Sequence, residues 1–280
     1  MPRAKKTPSD FTWDAENIFR GTAWYYARFR PGYPNEVANL LVKKFALTKD
    51  SRVLDLGCGT GQMALKLAPY VSEVIAIDPQ EEMLREGKSA AAPRGITNVT
   101  WIKGDSSRLP QIAKRIGDVH LTVIARAFHW MVREQTLTDL FKITLPGGGA
   151  TVIDDSGAYD GATLPWKEVI RETVKKWLGT TRRAGTKGTY TPPTRKFEDY
   201  LKESEFCNFE SASFQVERNW SLDEIIGYMY STSQSSIPVL GDKQEPFEAE
   251  LRKRLIEIQP TGRFHEPVTV NVMMVWKSST

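Results

Sequence analysis

The chain is poor in the residues that build metal centres and covalent frameworks. It has two cysteines, Cys58 and Cys207, and three histidines, His120, His129 and His265, in 280 residues. None stands at ligand spacing from another, so no metal site is expected. Cys58 falls inside a glycine turn, where a disulfide would be awkward. There is no long uncharged apolar stretch and no apolar segment after Met1-Pro2-Arg3. That points away from a membrane or a secretory route and towards the cytoplasm. Charge of one sign is scarce as well, since 38 basic and 34 acidic residues leave +4. Arg182-Arg183, Arg195-Lys196 and Arg252-Lys253-Arg254 are too short for a nucleic-acid arm and read as solvated faces.

What is present is a strand that breaks into glycine. Val53-Leu54-Asp55-Leu56-Gly57-Cys58-Gly59-Thr60-Gly61-Gln62 runs from an apolar segment into a G-x-G-x-G turn. The periodic residues Met63, Ala64, Leu65, Leu67 and Ala68 then predict a helix. Glycines let a ligand approach the backbone closely, and a helix start brings N–H groups without intrahelical partners. A nucleotide-like ligand is expected near residue 59.

Alternation continues beyond it. Strands are expected at 52–57, 73–78, 98–103, 118–125 and 149–154, with helices at 61–69, 80–90, 110–115 and 130–143. This rhythm predicts a Rossmann-like, doubly wound, mostly parallel α/β sheet, with the ligand at the carboxyl ends of its strands. Residues 1–50 form an N-terminal segment dense in aromatics (Phe11, Trp13, Phe19, Trp24, Tyr25, Tyr26, Phe29, Tyr33), its first ten residues polar and frayed, followed by a helix at 35–46. Residues 51–156 form the ligand-binding core. Residues 157–265 read as a helical cap holding one late strand near 208–218, with helices at 164–178, 194–204, 221–231 and 244–257. A final core strand lies in 266–280.

The residues narrow the ligand. A dinucleotide fingerprint needs a small residue where Gln62 stands, and no Gly-Lys-Ser/Thr follows the glycine turn as a Walker loop requires. Nicotinamide dinucleotides and nucleoside triphosphates are therefore disfavoured. Asp78, ending the second strand, can accept from both ribose hydroxyls, and Asp105 ends the third, where an adenine edge would lie. Asp55 stands where it could orient an ammonium. Acids for ribose and adenine with no basic phosphate clamp suit an adenosine bearing a cationic tail.

On Asp55 to Gly61, Asp78, Gly104-Asp105 and Phe128-His129-Trp130-Met131, the chain resembles class I S-adenosylmethionine-dependent methyltransferases. It is similar to their type 11 group, whose small-molecule members include trans-aconitate-like and antibiotic N-methyltransferases. The resemblance covers about residues 24–155. It implies seven strands, S-adenosyl-L-methionine as cofactor with S-adenosyl-L-homocysteine as product, no metal, and methyl transfer to oxygen or nitrogen of a small molecule. An RNA-modifying methyltransferase and a non-catalytic S-adenosylmethionine-binding protein are the alternatives, and a nicotinamide oxidoreductase ranks below them. The oligomeric state is open, a homo-oligomer included.

Cofactor contacts are expected from Asp55, Gly57, Cys58, Gly59, Gly61, Asp78, Pro79, Met83, Asp105 and Ser106, and the resemblance adds Ala127 and Phe128. Met83 serves equally well as plain core. The loop after the fourth strand should lie under the methyl group. His129 there is either a general base or a structural cap, and Trp130 adjoins it. Tyr25 and Tyr26 either face the substrate or staple the N-terminal segment to the core. Asp154-Asp155-Ser156 ends the fifth strand, where the two acids could hold a cationic amine. The candidate catalytic residues are His129 and Tyr26, and the candidate substrate contacts are Tyr25, Tyr26, His129, Trp130, Asp154 and Asp155.

Overall fold

A computed structural model describes residues 14–155 and 164–279. The expectations for residues 1–10, Phe11, Trp13 and Ser156 lie outside them. The elements are α1 (Ala23–Phe29), α2 (Asn35–Lys44), β1 (Arg52–Leu56), α3 (Gln62–Leu67), β2 (Glu73–Asp78), α4 (Glu81–Ala91), β3 (Val99–Lys103), α5 (Leu109–Ile116), β4 (Val119–Ala125), α6 (Arg133–Ile143) and β5 (Thr144–Asp155). They continue with α7 (Pro165–Leu178), the two-residue strands β6 (Arg183–Ala184) and β7 (Gly188–Thr189), α8 (Phe197–Lys202), β8 (Asn208–Ser221), α9 (Leu222–Tyr230), α10 (Ile237–Leu240), α11 (Gln244–Ile258) and β9 (Arg263–Trp276).

Seven strands form one sheet in the order β3-β2-β1-β4-β5-β9-β8. β1 to β5 are parallel, and β9 and β8 run antiparallel to their neighbours. Every crossover of a parallel pair must span the sheet, hence the α/β alternation. Strand order reverses between β1 and β4. At that point the following loops part in opposite directions and leave a crevice.

The central strands are apolar because both faces are covered. Val53, Val74, Leu121 and Val123 pack under α2 and α3, and Leu54, Ile75, Ile77 and Ile124 pack on the other face beside α5 and α6. Both sets are almost wholly buried. A third cluster, including Trp166, Ile170, Phe247 and Leu251, gives the cap helices α7, α9 and α11 a core of their own.

The cap is carried by a ribbon. β9 pairs with β5 only from Val270 to Trp276, whereas its pairing with β8 extends to Arg263. The stretch 263–269 with its β8 partner therefore projects past Asp155, beyond the ligand-facing edge, and α9 to α11 are inserted at its far end.

Several boundaries moved for local reasons. The helix expected over 61–69 ends at Leu67 and passes into a tighter turn at 68–70 containing Pro69. β5 starts at Thr144 rather than 149, before a bulge in its pairing with β4. Between the helices expected at 164–178 and 194–204 lies the β6–β7 hairpin, which turns at Gly185 with φ +72°. A Gly-Lys-Ser sequence does occur, at 87–89, but inside α4, so it is no phosphate loop. Gly87 is required there by packing, because a Cβ would stand 2.5 Å from the Trp101 ring.

Candidate active site

The glycine turn after β1 is bonded within itself and to β2. The amides of Gly57 and Cys58 donate to the Ile77 carbonyl (2.8 and 3.0 Å), and that of Gly61 to the Cys58 carbonyl (2.9 Å). Gly59 N–H donates to Asp78 Oδ2 at 2.9 Å. These four donors are thus spent within the turn and on β2. Gly61 has φ +75°, and a Cβ there would meet Trp101 at 2.4 Å; on Gly57, φ +73°, it would meet Ala127 at 2.6 Å. These glycines are fixed by conformation and by close approach together.

Asp78 shapes the crevice floor. Its other oxygen accepts from the Gln80 amide at 2.8 Å, as an Asx turn before α4. Burial pushes its carboxyl up to about 6. Each oxygen keeps a lone pair for a further donor. Asp105 accepts from the Ser107 amide at 2.8 Å and caps the short turn at 106–108.

Asp55 is placed differently from its expectation. Only 1% exposed, it lies beneath the turn and accepts from the Ala64 amide at 2.9 Å, capping α3 from within. Burial pushes it up to about 7. It orients the turn and does not face the crevice.

Two adjoining cavities occupy the switch point. The first is lined by Gly57, Gly59, Asp78, Pro79, Met83, Asp105, Ser106 and Ala127 from the expected set, together with Ala15, Ile18, Phe19 and Gln80. The second is lined by His129, Asp154, Asp155, Arg30, Arg182, Tyr190 and Tyr228 among others. Phe19, Tyr26, Arg126 and Trp130 line both. Asp55, Cys58, Gly61, Phe128 and Tyr25 line neither. Phe128 is core, edge-on to Phe197, and Tyr25 packs on Tyr230 and Phe29. Their neighbours Tyr26 and Ala127 do line the crevice.

The N-terminal segment closes the crevice as a strap. Gln80 Nε2 donates to the Glu16 carbonyl, and the Gly21 amide to Glu82 at 3.1 Å. Gln62 Nε2 reaches the Arg30 carbonyl at 3.1 Å. The side chain whose size argued against a dinucleotide therefore ties the strap to the glycine turn. Tyr26 is enclosed between them, and burial raises its phenol, which stays protonated at neutral pH.

The fourth-strand loop holds a residue that sequence reasoning passed over. Arg126 has φ +51°, unusual for a non-glycine. Its guanidinium donates to the Pro31 carbonyl (2.9 Å) and to Asp155 (2.6 Å), and lies 4.6 Å from the Tyr33 ring centre. Arg218 of β8 donates to the same Asp155 oxygen at 2.7 Å. Held by two guanidiniums, Asp155 sits below the ordinary carboxylate range despite burial. Its charge is already matched, which removes it as a site for a cationic amine.

His129 lies near the rings of Trp130 and Tyr190. Burial, then Arg182, Arg133 and Arg30, push it down to about 3. It is neutral at physiological pH and a weak proton acceptor. Among the described residues no cluster of His, Cys, Asp or Glu could hold a metal, and no helix is long and apolar enough to cross a membrane.

Residues 53–148 match the family described as methyltransferase domain. Over 256 residues the chain is 25% identical to an uncharacterised methyltransferase of Schizosaccharomyces pombe, covering 91% of this chain and 93% of that one. It is 37% identical over 95 residues to an uncharacterised Bacillus subtilis methyltransferase, 34% of this chain and 38% of the other. That protein's crystal structure superposes with a TM-score of 0.55 at 16% identity, covering 88% and 100%. A Haemonchus contortus N-methyltransferase solved with S-adenosylhomocysteine has a TM-score of 0.50 at 14% identity, covering 93% of this chain and 57% of that one. Other relatives are matched over about half their length.

Proposed function

The chain is a class I S-adenosylmethionine-dependent methyltransferase, and from that premise we propose that it methylates an oxygen or nitrogen of a small molecule. The observation that carries this reading is the pair of adjoining cavities at the β1/β4 switch point, sharing Phe19, Tyr26, Arg126 and Trp130. The first cavity suits an adenosine. Asp78 would take the ribose hydroxyls, Asp105 and Ser106 the adenine edge, and Met83 and Ile18 would cover the ring. A turn that spends its amides internally suits a ligand without phosphates. The second cavity would take the acceptor.

S-adenosylmethionine, when bound, supplies a methyl group on a sulfonium. The residues of this chain position and desolvate. Tyr26 and Trp130 would wall the junction, where aromatic faces attract a cation and exclude water. Neither Tyr26, kept protonated, nor His129, at about 3, is basic enough to take a proton at neutral pH. We therefore give both a positioning role.

Calorimetry tests the cofactor reading. S-adenosylhomocysteine should bind and NAD should not, and the reverse would overturn it. Tyr26→Phe, which keeps the aromatic face, should fold normally and keep most of the turnover, whereas Tyr26→Leu should turn over more slowly. His129→Ala should alter acceptor KM more than the pH profile, and loss of an ascending pH limb would restore it as a base.

A further inference from the structure

We propose that the outer edge of β8 pairs with the β8 of a second copy of this chain, antiparallel about a two-fold axis at Phe214. The surface is an edge left open. β8 ends the sheet, and among the described residues no strand pairs with its outer side. It runs for 14 residues, Asn208–Ser221, in unbroken register with β9 on its inner side. Edge strands are ordinarily kept from pairing by proline, lysine, a bulge or short length. β8 has no proline, no lysine and no break in its register. Its residues alternate. Ser211, Ser213, Gln215, Glu217 and Asn219 are exposed and polar, whereas Ala212, Phe214, Val216 and Arg218 are half-buried. Phe214 and Val216 pack on the cluster under α2, so that row is covered on its face and has no lateral neighbour.

The strand's own sequence selects the occupant and the register. About a two-fold axis normal to the sheet, residues equally far from the axis meet, and both lie on one face. With the axis at Phe214, Phe214 faces its own copy, Ala212 faces Val216, Ser213 faces Gln215 and Ser211 faces Glu217. Glu210 faces Arg218 at both ends of the overlap. Apolar stands against apolar, polar against polar and acid against base. Both charges are already oriented, Glu210 by Lys44 and Arg218 by Asp155. Sliding the axis towards Asn208 by one, two or three residues sets Glu210 against Val216, Phe214 or Ala212. Sliding it the other way sets Arg218 against Ala212, Phe214 or Val216. An overlap of this length makes about ten backbone hydrogen bonds, as many as a typical stable interface.

The axis falls where the cap-bearing ribbon leaves the sheet. Phe214 pairs with Val270, and β9 pairs with β5 only from Val270 to Trp276. Residues 215–220 of one copy therefore lie beside 208–213 of the other, the part of β8 whose β9 partners are anchored on β5. Each copy's ribbon is braced by the sheet of the other.

Sedimentation velocity of the full chain tests this. A concentration-dependent species of twice the 31.7 kDa chain mass is expected in the micromolar range. Glu210→Arg sets like charges against Arg218 at both ends of the overlap and should weaken the dimer about tenfold or more. Glu217→Arg makes the same charge change opposite Ser211 and should leave the dimer nearly unchanged. Cross-linking checks the register. In a Cys207→Ser background, a short bismaleimide should join Ser213→Cys to its own copy. It should not join Asn219→Cys, whose two copies stand about 30 Å apart along the strands. Both sites are exposed, so folding is not at stake. A chain that stays monomeric up to high micromolar concentration overturns the proposal. So does a dimer that Glu210→Arg leaves intact, or one that does not cross-link at 213, because the copies then meet on another face or in another register.

Discussion

At the scale of single residues, surroundings decide what an identical backbone angle costs. Gly61 and Gly95 both have positive φ, +75° and +63°, but a Cβ on Gly61 would strike Trp101 while one on Gly95 would meet nothing within 4 Å. Gly95→Ala should cost about 1 kcal/mol, the left-handed penalty alone. Gly61→Ala should cost about 2–4 kcal/mol, with overpacking added, and urea denaturation would separate them. Asp78 carries a second prediction. As a ribose acceptor it must be ionised, and its carboxyl sits at about 6, so S-adenosylhomocysteine affinity should fall as pH drops through that value. Asp78→Asn should flatten the profile. Stability of the free protein runs the opposite way. Asp55 and Asp78 have folded values raised to about 7 and about 6 from 3.8. Their contribution is fully present below about pH 4 and is lost as pH rises through 6 and 7, because burial opposes the charged form. A Tm series across that window measures it, and Asp55→Asn should remove part of the slope.

At the scale of elements, the strap and the two loops it touches behave as one unit. Gln62 joins the glycine turn to it and Arg126 joins the fourth-strand loop. Gln62→Ala removes one such bond, worth about 0.5–1.5 kcal/mol. S-adenosylhomocysteine should then dissociate roughly 2–10-fold faster by stopped flow. Unchanged dissociation would mean that the strap does not gate release. The sheet and its helices were legible in the sequence because each is set by local periodicity: Val53 to Leu56, Glu73 to Asp78 and the 14-residue α7 need only their own apolar spacing. The crevice floor was legible for the same reason, since Gly57, Gly59, Asp78 and Asp105 follow directly on strands. Arg126 and Arg30 were not. Their placement comes from meeting residues far along the chain, Asp155 and Ser231, and, for Arg126, from a positive φ that no residue type announces. The strap helix α1 was masked by its aromatics, of which Trp24 remains 49% exposed while Tyr26 turns inward.

At the scale of the whole molecule, the cap is tied to the sheet by a buried ion pair. Lys167 of α7 lies 2.6 Å from Glu266 of β9, the side chains 2% and 1% exposed, and Trp220 Nε1 donates to the other oxygen at 2.7 Å. Removing one partner leaves a buried charge. Lys167→Met should cost about 3–5 kcal/mol. Adding Glu266→Gln, which keeps an acceptor for Trp220, should recover most of it by chemical denaturation. Full additivity of the two losses would show that the charges do not compensate each other.

The position of β9 inside the sheet has a consequence for the chain as it is made. This strand is threaded between β5 and β8, so the sheet keeps a gap until residues 263–276 leave the ribosome. Until then β5 is an open edge and β8 is an unpaired strand, and both are templates for a neighbouring chain. A chain stopped at residue 262 should therefore collect in inclusion bodies although its β1–β5 core is whole, and the same stop codon should be tolerated better where a holdase is abundant.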